Sequence, residues 1–154
     1  MRLALRALLF PSAVVGVTLG WLWFDRWMDW RGIDSPRTGA LLVAAGLVMV
    51  SWCSGLFLAI GGGTPHPFVA KTTRLVISGP YRIVRNPMMW GVGTVLVGLA
   101  LWLHSVGLWF GIGCFLIFVT VFVKHYEEPD MRRRFGEEYE EYCRRVPRWF
   151  PRVR

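Results

Sequence analysis

Four stretches of the chain are apolar and almost free of charge: Leu3 to Phe24, Thr38 to Ile60, Met88 to Leu103 and Ser105 to Val123. A helix rises about 1.5 Å per residue, so about 20 apolar residues cross the hydrocarbon core of a bilayer. Three stretches meet that length. The third is short, and only His104 and Ser105 mark its break from the fourth, which predicts a tight helical hairpin. Beyond Val123 the pattern changes. Phe135, Tyr139 and Tyr142 recur at helical spacing among charges, so Met131 to Arg145 predicts an amphipathic helix. The expected fold is an all-α integral membrane protein of about four transmembrane helices plus a C-terminal cytoplasmic amphipathic helix. Arg2 and Arg6 precede the first stretch as in a signal peptide. Its length, Trp21 and Trp23, and the lack of a small-x-small cleavage site make it a retained span.

Basic residues orient these spans. The N-terminus carries two, the segment Gly61 to Pro87 four, and the tail from Lys124 nine; the segment Asp25 to Arg37 has three, matched by Asp25, Asp29 and Asp34. The excess places both termini and the middle loop in the cytoplasm. Trp21, Trp23, Trp27 and Trp30 then anchor the opposite interface. A formal charge of +8 would also suit a nucleic-acid binder, but the basic residues flank apolar runs, so headgroups and topology explain them and no nucleic acid is expected. Cys53, Cys114 and Cys143 form no C-x-x-C pair, and His66, His104 and His125 have no metal-type spacing. No metal is expected.

With this topology the two polar segments long enough for chemistry share one side. Gly61-Gly-Gly-Thr-Pro-His-Pro leaves the second span as an irregular loop. Leu75, Val76 and Ile77 form an apolar patch that either docks under a ligand or rests at the interface. Asn86 and Pro87 read as cap and first turn of the third span. Arg82 and Arg85 lie just before that helix N-terminus, where free N–H groups favour a carboxylate or phosphate; lipid headgroups are the other reading. Gly91 and Gly93 admit a ligand or a neighbouring helix, with helix packing the default, and Gly107, Gly111 and Gly113 read as packing. Glu127 and Glu128 stand at the membrane boundary, an expensive place for unpartnered acids. Adjacent helical residues point about 100° apart, so the two acids face different surroundings and one is expected to be structural. An i,i+4 pair of Glu128 with Arg132 would serve that role. The aromatic face of the tail either lies on the membrane or lids the middle loop, with Val146-Pro-Arg-Trp-Phe-Pro pinning its end.

At these positions the sequence resembles the isoprenylcysteine carboxyl methyltransferase family and the related phospholipid methyltransferases. The matching blocks are Gly79-Pro-Tyr-Arg-Ile-Val-Arg-Asn-Pro, the Glu127-Glu128 pair, and Phe135-Gly-Glu-Glu-Tyr-Glu-Glu-Tyr-Cys-Arg-Arg-Val-Pro. They fall within roughly residues 61 to 151. The two N-terminal spans, residues 1–60, show no recognisable family signature and are expected to shape acceptor choice, while the resemblance implies a cofactor-binding region over residues 61–154. It implies S-adenosylmethionine as cofactor, bound through Gly79, Tyr81, Arg82, Arg85, Asn86, Gly91, Gly93, Glu127 and Glu128, with Arg85, Glu127 and Glu128 the candidate catalytic residues. Asn86 and Met89 stand where many relatives carry His and Tyr. A cofactor carboxylate suits Arg, ribose hydroxyls suit Glu, and a sulfonium tolerates aromatic surroundings.

The expected reaction is in-line methyl transfer to an oxygen or nitrogen of a lipophilic or amphiphilic acceptor drawn from membrane lipid, driven by alignment and desolvation. Arg85 would orient an acceptor carboxylate; an amine would shed its proton toward Glu127 or Glu128. Phospholipid amine N-methylation is the nearest alternative. An NADPH-dependent membrane reductase and a non-catalytic membrane scaffold are the alternatives from other classes. A multi-pass protein of a bacterial inner membrane fits the compact chain. Acceptor identity and oligomeric state stay open at this level.

Overall fold

The computed structural model describes residues 16, 18–29, 32–63 and 72–152. Most of the first apolar stretch, with Arg2 and Arg6, lies outside the described residues, as do Trp30 and residues 64–71 of the middle loop. Among the described residues every regular element is helical: α1 (described over residues 18–28), α2 (Pro36–Ala59), α3 (Pro87–Trp102), α4 (Val106–Phe122) and α5 (Glu128–Arg145). A 3-10 turn, Gly79–Arg82, precedes α3, and a π-helical turn, Val123–Glu127, joins α4 to α5.

Two runs are long and apolar enough to cross a membrane, Pro36–Ala59 and the continuous Val106–Arg145, while α3 is a shorter apolar helix. The second run holds 40 residues, a length of about 60 Å, roughly twice the hydrocarbon core. Its apolar part ends at Val123, the first residue of the π turn, and charge begins at Lys124, so the rest of the π turn and α5 lie beyond the apolar stretch.

Helices that face lipid cannot associate by burying apolar surface, so close backbone approach through small residues replaces it. In α2 the buried positions are Gly39, Gly46 and Cys53, every seventh residue, while Leu41, Val48 and Leu58 are exposed. They meet α3 in antiparallel order: a Cβ on Gly39 would lie 2.7 Å from the Gly98 carbonyl oxygen, and one on Gly46 would lie 2.7 Å from that of Gly91. Those two backbones leave no room for a side chain.

The chain turns from α3 to α4 through Leu103, His104 and Ser105. Ser105 caps α4, its Oγ accepting from the Leu108 N–H at 3.0 Å. Asp25 of α1 is buried beside it and accepts from the Ser105 hydroxyl and, at 2.7 Å, from the Gly107 N–H. Sequence pattern alone had set Asp25 among the loop acids that balance nearby arginines; its carboxylate instead ties α1 to α4. Trp21 lies over Gly107 and Gly111, whereas Gly113 faces open space.

At the other end of the molecule α5 bends at Gly136 (φ 51°, ψ −123°), a conformation that side chains disfavour. Beyond the bend, Tyr139 and Tyr142 are buried in a cluster with Val146, packed against Leu75, Met131 and Phe135.

Candidate functional site

The middle segment, the π turn and α5 converge on a cavity of about 450 Å³, its open mouth included. Phe57 of α2 contributes one wall, and Thr72, Leu75 and Val76 a second. Tyr81, Arg85 and Asn86 come from the approach to α3, Val123 and Glu127 from the π turn, and Glu128, Met131, Tyr139 and Tyr142 from α5. Among the described residues no group of His, Cys, Asp and Glu is arranged to hold a metal.

Glu128 is the electrostatic hub. It is 3% exposed, and a buried carboxylate is stable only with charged or hydrogen-bonding partners. Arg148 supplies two parallel hydrogen bonds, Nε to Oε1 at 2.6 Å and Nη2 to Oε2 at 2.8 Å. Arg85 Nη1 reaches Oε1 at 3.0 Å, and Arg132 Nη1 stands 3.9 Å from Oε2. Burial alone would push the Glu128 carboxyl up, but the Arg148 hydrogen bond and the Arg85, Arg148 and Arg132 charges hold it below the ordinary carboxylate value. Arg85 Nη1 also contacts Cys143 Sγ at 2.8 Å, while its buried Nε has no hydrogen-bond partner among the described residues. One donor of the site is therefore unspent.

Glu127 is the opposite of its neighbour. It lines the cavity without an ion pair or hydrogen bond among the described residues, and burial, with the Glu128 charge beside it, pushes its carboxyl up to about 7. The π turn separates the two acids into these environments. Burial likewise raises the phenols of Tyr81, Tyr139 and Tyr142, which stay neutral.

The tail docks against the site through its backbone carbonyls. Pro147 O accepts from the Arg85 N–H at 2.9 Å, Arg148 O from Asn86 Nδ2 at 3.2 Å, and Trp149 O from Trp90 Nε1 at 2.8 Å. Phe150 packs edge-on against Trp90, and Tyr142 donates to the Tyr81 carbonyl at 2.7 Å. Arg134 holds the middle segment through the Thr72 carbonyl and hydroxyl.

Of the residues singled out in the sequence, Tyr81, Arg85, Asn86, Glu127 and Glu128 come together around the cavity. Gly79 (φ 59°) begins the 3-10 turn behind Tyr81, and Arg82 is exposed. Gly91 packs on α2 and Gly93 looks toward Phe115 of α4, so neither lines the cavity. Asn86 sits at the start of α3 but makes no side-chain cap; its amide goes to the tail instead. Sequence reasoning missed Arg148 and Thr72. Arg148 is one of many basic residues in the tail, and only its place between Pro147 and an aromatic pair marked the segment as docked.

A family model for phospholipid methyltransferase matches residues 36–138. Among curated proteins, the nickel-cobalt-cadmium resistance protein NccN of Alcaligenes xylosoxydans xylosoxydans is 28% identical over 131 residues, which is 85% of this chain and 55% of that protein. The chain thus spans about half the length of that relative. No solved structure matches it.

Proposed function

The chain belongs to the phospholipid methyltransferase family, and from that premise we propose that it transfers a methyl group from S-adenosylmethionine to an oxygen or nitrogen of a lipophilic acceptor at the cytoplasmic boundary of a bacterial inner membrane. The observation that carries this reading is the pairing, in one cavity, of a buried guanidinium N–H on Arg85 and a carboxyl on Glu127, each without a hydrogen-bond partner among the described residues. An amino-acid carboxylate answers the first, and an ammonium or ribose diol answers the second. The walls suit the remainder: Phe57, Tyr81 and Tyr139 offer ring faces to an aromatic base and to a sulfonium. When bound, the cofactor supplies an electrophilic methyl on that sulfonium.

The residues of the chain then bind and align. Arg85 fixes the anionic end, Glu127 the cationic or hydroxylic end, and the neutral tyrosines keep water away from the reacting line. Glu128 has its partners already and acts as the anchor of the arginines. For an amine acceptor Glu127, ionising near 7, is suited to take the released proton. We assign four membrane spans with both termini and residues 61–87 cytoplasmic, α3 and α4 forming the hairpin and residues 1–60 facing the acceptor. The acceptor class is kept as isoprenylcysteine-like carboxylate or phospholipid amine.

Incubating the purified protein with methyl-labelled S-adenosylmethionine and a bacterial membrane extract should place label in a lipid-soluble product. Arg85→Ala and Glu127→Ala should each remove it while the protein still purifies and melts cooperatively. Labelling at the level of the unsubstituted protein in both variants refutes the site.

A further inference from the structure

Glu128 has two oxygens and about four acceptor positions, and three guanidinium groups stand around it. They do not share it equally. Arg148 takes both oxygens in the fork geometry that guanidinium and carboxylate favour. Arg85 reaches Glu128 through Nη1 alone, which also meets Cys143 Sγ at 2.8 Å, and its Nε has no partner among the described residues. Arg132 is farther off and is satisfied by Glu140 at 2.6 Å.

We propose that Arg148 is a positioning residue: by occupying Glu128 in bidentate fashion it prevents the carboxylate from capturing the Arg85 guanidinium as a fork, and so keeps the part of that guanidinium beyond Nη1 available for the anionic group of the cofactor. This rests on the methyl-transfer reading above. The tail is built to hold the arrangement. The carbonyls of Pro147 and Arg148 accept from the Arg85 N–H and the Asn86 amide, so the competitor for Glu128 is tethered to the same segment that carries Arg85. Arg148 lies 20 residues beyond Glu128 in sequence and reaches it only because the chain doubles back after α5. With Arg148 removed, the nearest cation to a buried carboxylate is Arg85. Its unspent Nε and its Nη1 can then close on Glu128 as a fork, withdrawing the donor from the cavity.

A strut that merely fastened the tail would give the same single-variant phenotype, so the decisive variant removes the captor as well. S-adenosylhomocysteine, which binds without turnover, is titrated calorimetrically into the detergent-solubilised full chain. Arg148→Ala should weaken binding by at least about tenfold, and Arg148→Ala combined with Glu128→Gln should recover it to within about threefold of the unsubstituted protein, because a neutral amide no longer captures Arg85. Arg148→Lys keeps the charge but cannot span both oxygens, and should fall between; it carries the test if the alanine variant does not fold. In turnover the lesion should appear as a raised KM for cofactor with kcat within about twofold. Binding unchanged in Arg148→Ala, or no recovery in the double variant, overturns the proposal. Absence of binding by the unsubstituted protein instead overturns the methyl-transfer reading itself.

Discussion

The two ends of the α4 run each bury one acid, and the two acids are treated differently. Asp25 meets neutral donors, a hydroxyl and a backbone N–H, in numbers that match its needs. Glu128 meets three guanidinium groups, more positive charge than one carboxylate balances. A matched acid is a fastening: it joins α1 to the start of α4 and leaves nothing over. An over-supplied acid leaves one donor, Arg85 Nε, without a partner among the described residues, and Glu127, likewise without one among them, lines the same cavity. Surplus, rather than burial, separates the end that lines the cavity from the end that holds.

Removing each acid should separate the two roles. Glu128→Ala strands two arginines around a vacated buried site, and breaking a buried pair costs about 3–5 kcal/mol. A large fall in the detergent melting temperature is expected, and cofactor affinity should fall because the truncated side chain leaves both guanidinium groups unplaced, a loss that Glu128→Gln, which keeps the shape and an acceptor oxygen, should not share. Asp25→Ala orphans the Ser105 hydroxyl and the Gly107 N–H, at about 1–3 kcal/mol for each donor. Melting should fall here too, yet cofactor affinity measured well below the transition should hold within about twofold, as for distant independent sites. Loss of affinity in Asp25→Ala would break the distinction between the ends.

Much of this was legible in the sequence because lipid and charge impose coarse, one-dimensional rules. The helices α2, α3 and α4 follow from the apolar stretches, and adjacency on a helix already implied that Glu127 and Glu128 meet different surroundings, though the π turn that sets them was not legible. The individual contacts were not legible, for physical reasons that differ by residue. Arg148 pairs with Glu128 across a chain reversal, so spacing favoured the i,i+4 partner Arg132, which sits at 3.9 Å. Gly91 and Gly93 look alike as G-x-G, but facing α2 or α4 depends on a rotation about α3 that a helix apolar on all sides does not specify. Asp25 reads as a loop acid until α1 packs against the cap of α4.

A smaller lesion belongs to the cavity end alone. Gly136 allows the bend that turns Tyr139 and Tyr142 inward, and no neighbouring atom would obstruct a methyl group there. Gly136→Ala therefore tests backbone strain without a packing clash, at roughly 1–3 kcal/mol for a conformation natural to glycine. Cofactor affinity should fall with stability, whereas a disulfide engineered between α1 and α4 should leave that loss unrepaired.

The mildest test uses protons. Glu127 ionises at about 7 in the folded chain, against an ordinary value of 4.5, because burial and the Glu128 charge oppose its carboxylate. The folded state therefore holds that proton more tightly than the unfolded one. Its stabilising contribution is complete below 4.5, is lost as pH rises from 4.5 through 7, and is flat above. Glu128 runs the other way: held below the ordinary value, its contribution is present above 4.5 and is lost only as pH falls through its lower folded value, so it stays ionised across the neutral range. Near neutrality the two trends leave Glu127 in control. A ligand that needs its carboxylate should bind about tenfold tighter at pH 8 than at pH 6, since the ionised fraction climbs from about a tenth to about nine tenths. Meanwhile the ligand-free protein should lose stability over the same interval. Glu127→Gln should flatten both curves together. A flat profile in the unsubstituted protein, or an unchanged one in the glutamine variant, would remove Glu127 from the binding end and leave surplus guanidinium as its sole distinguishing mark.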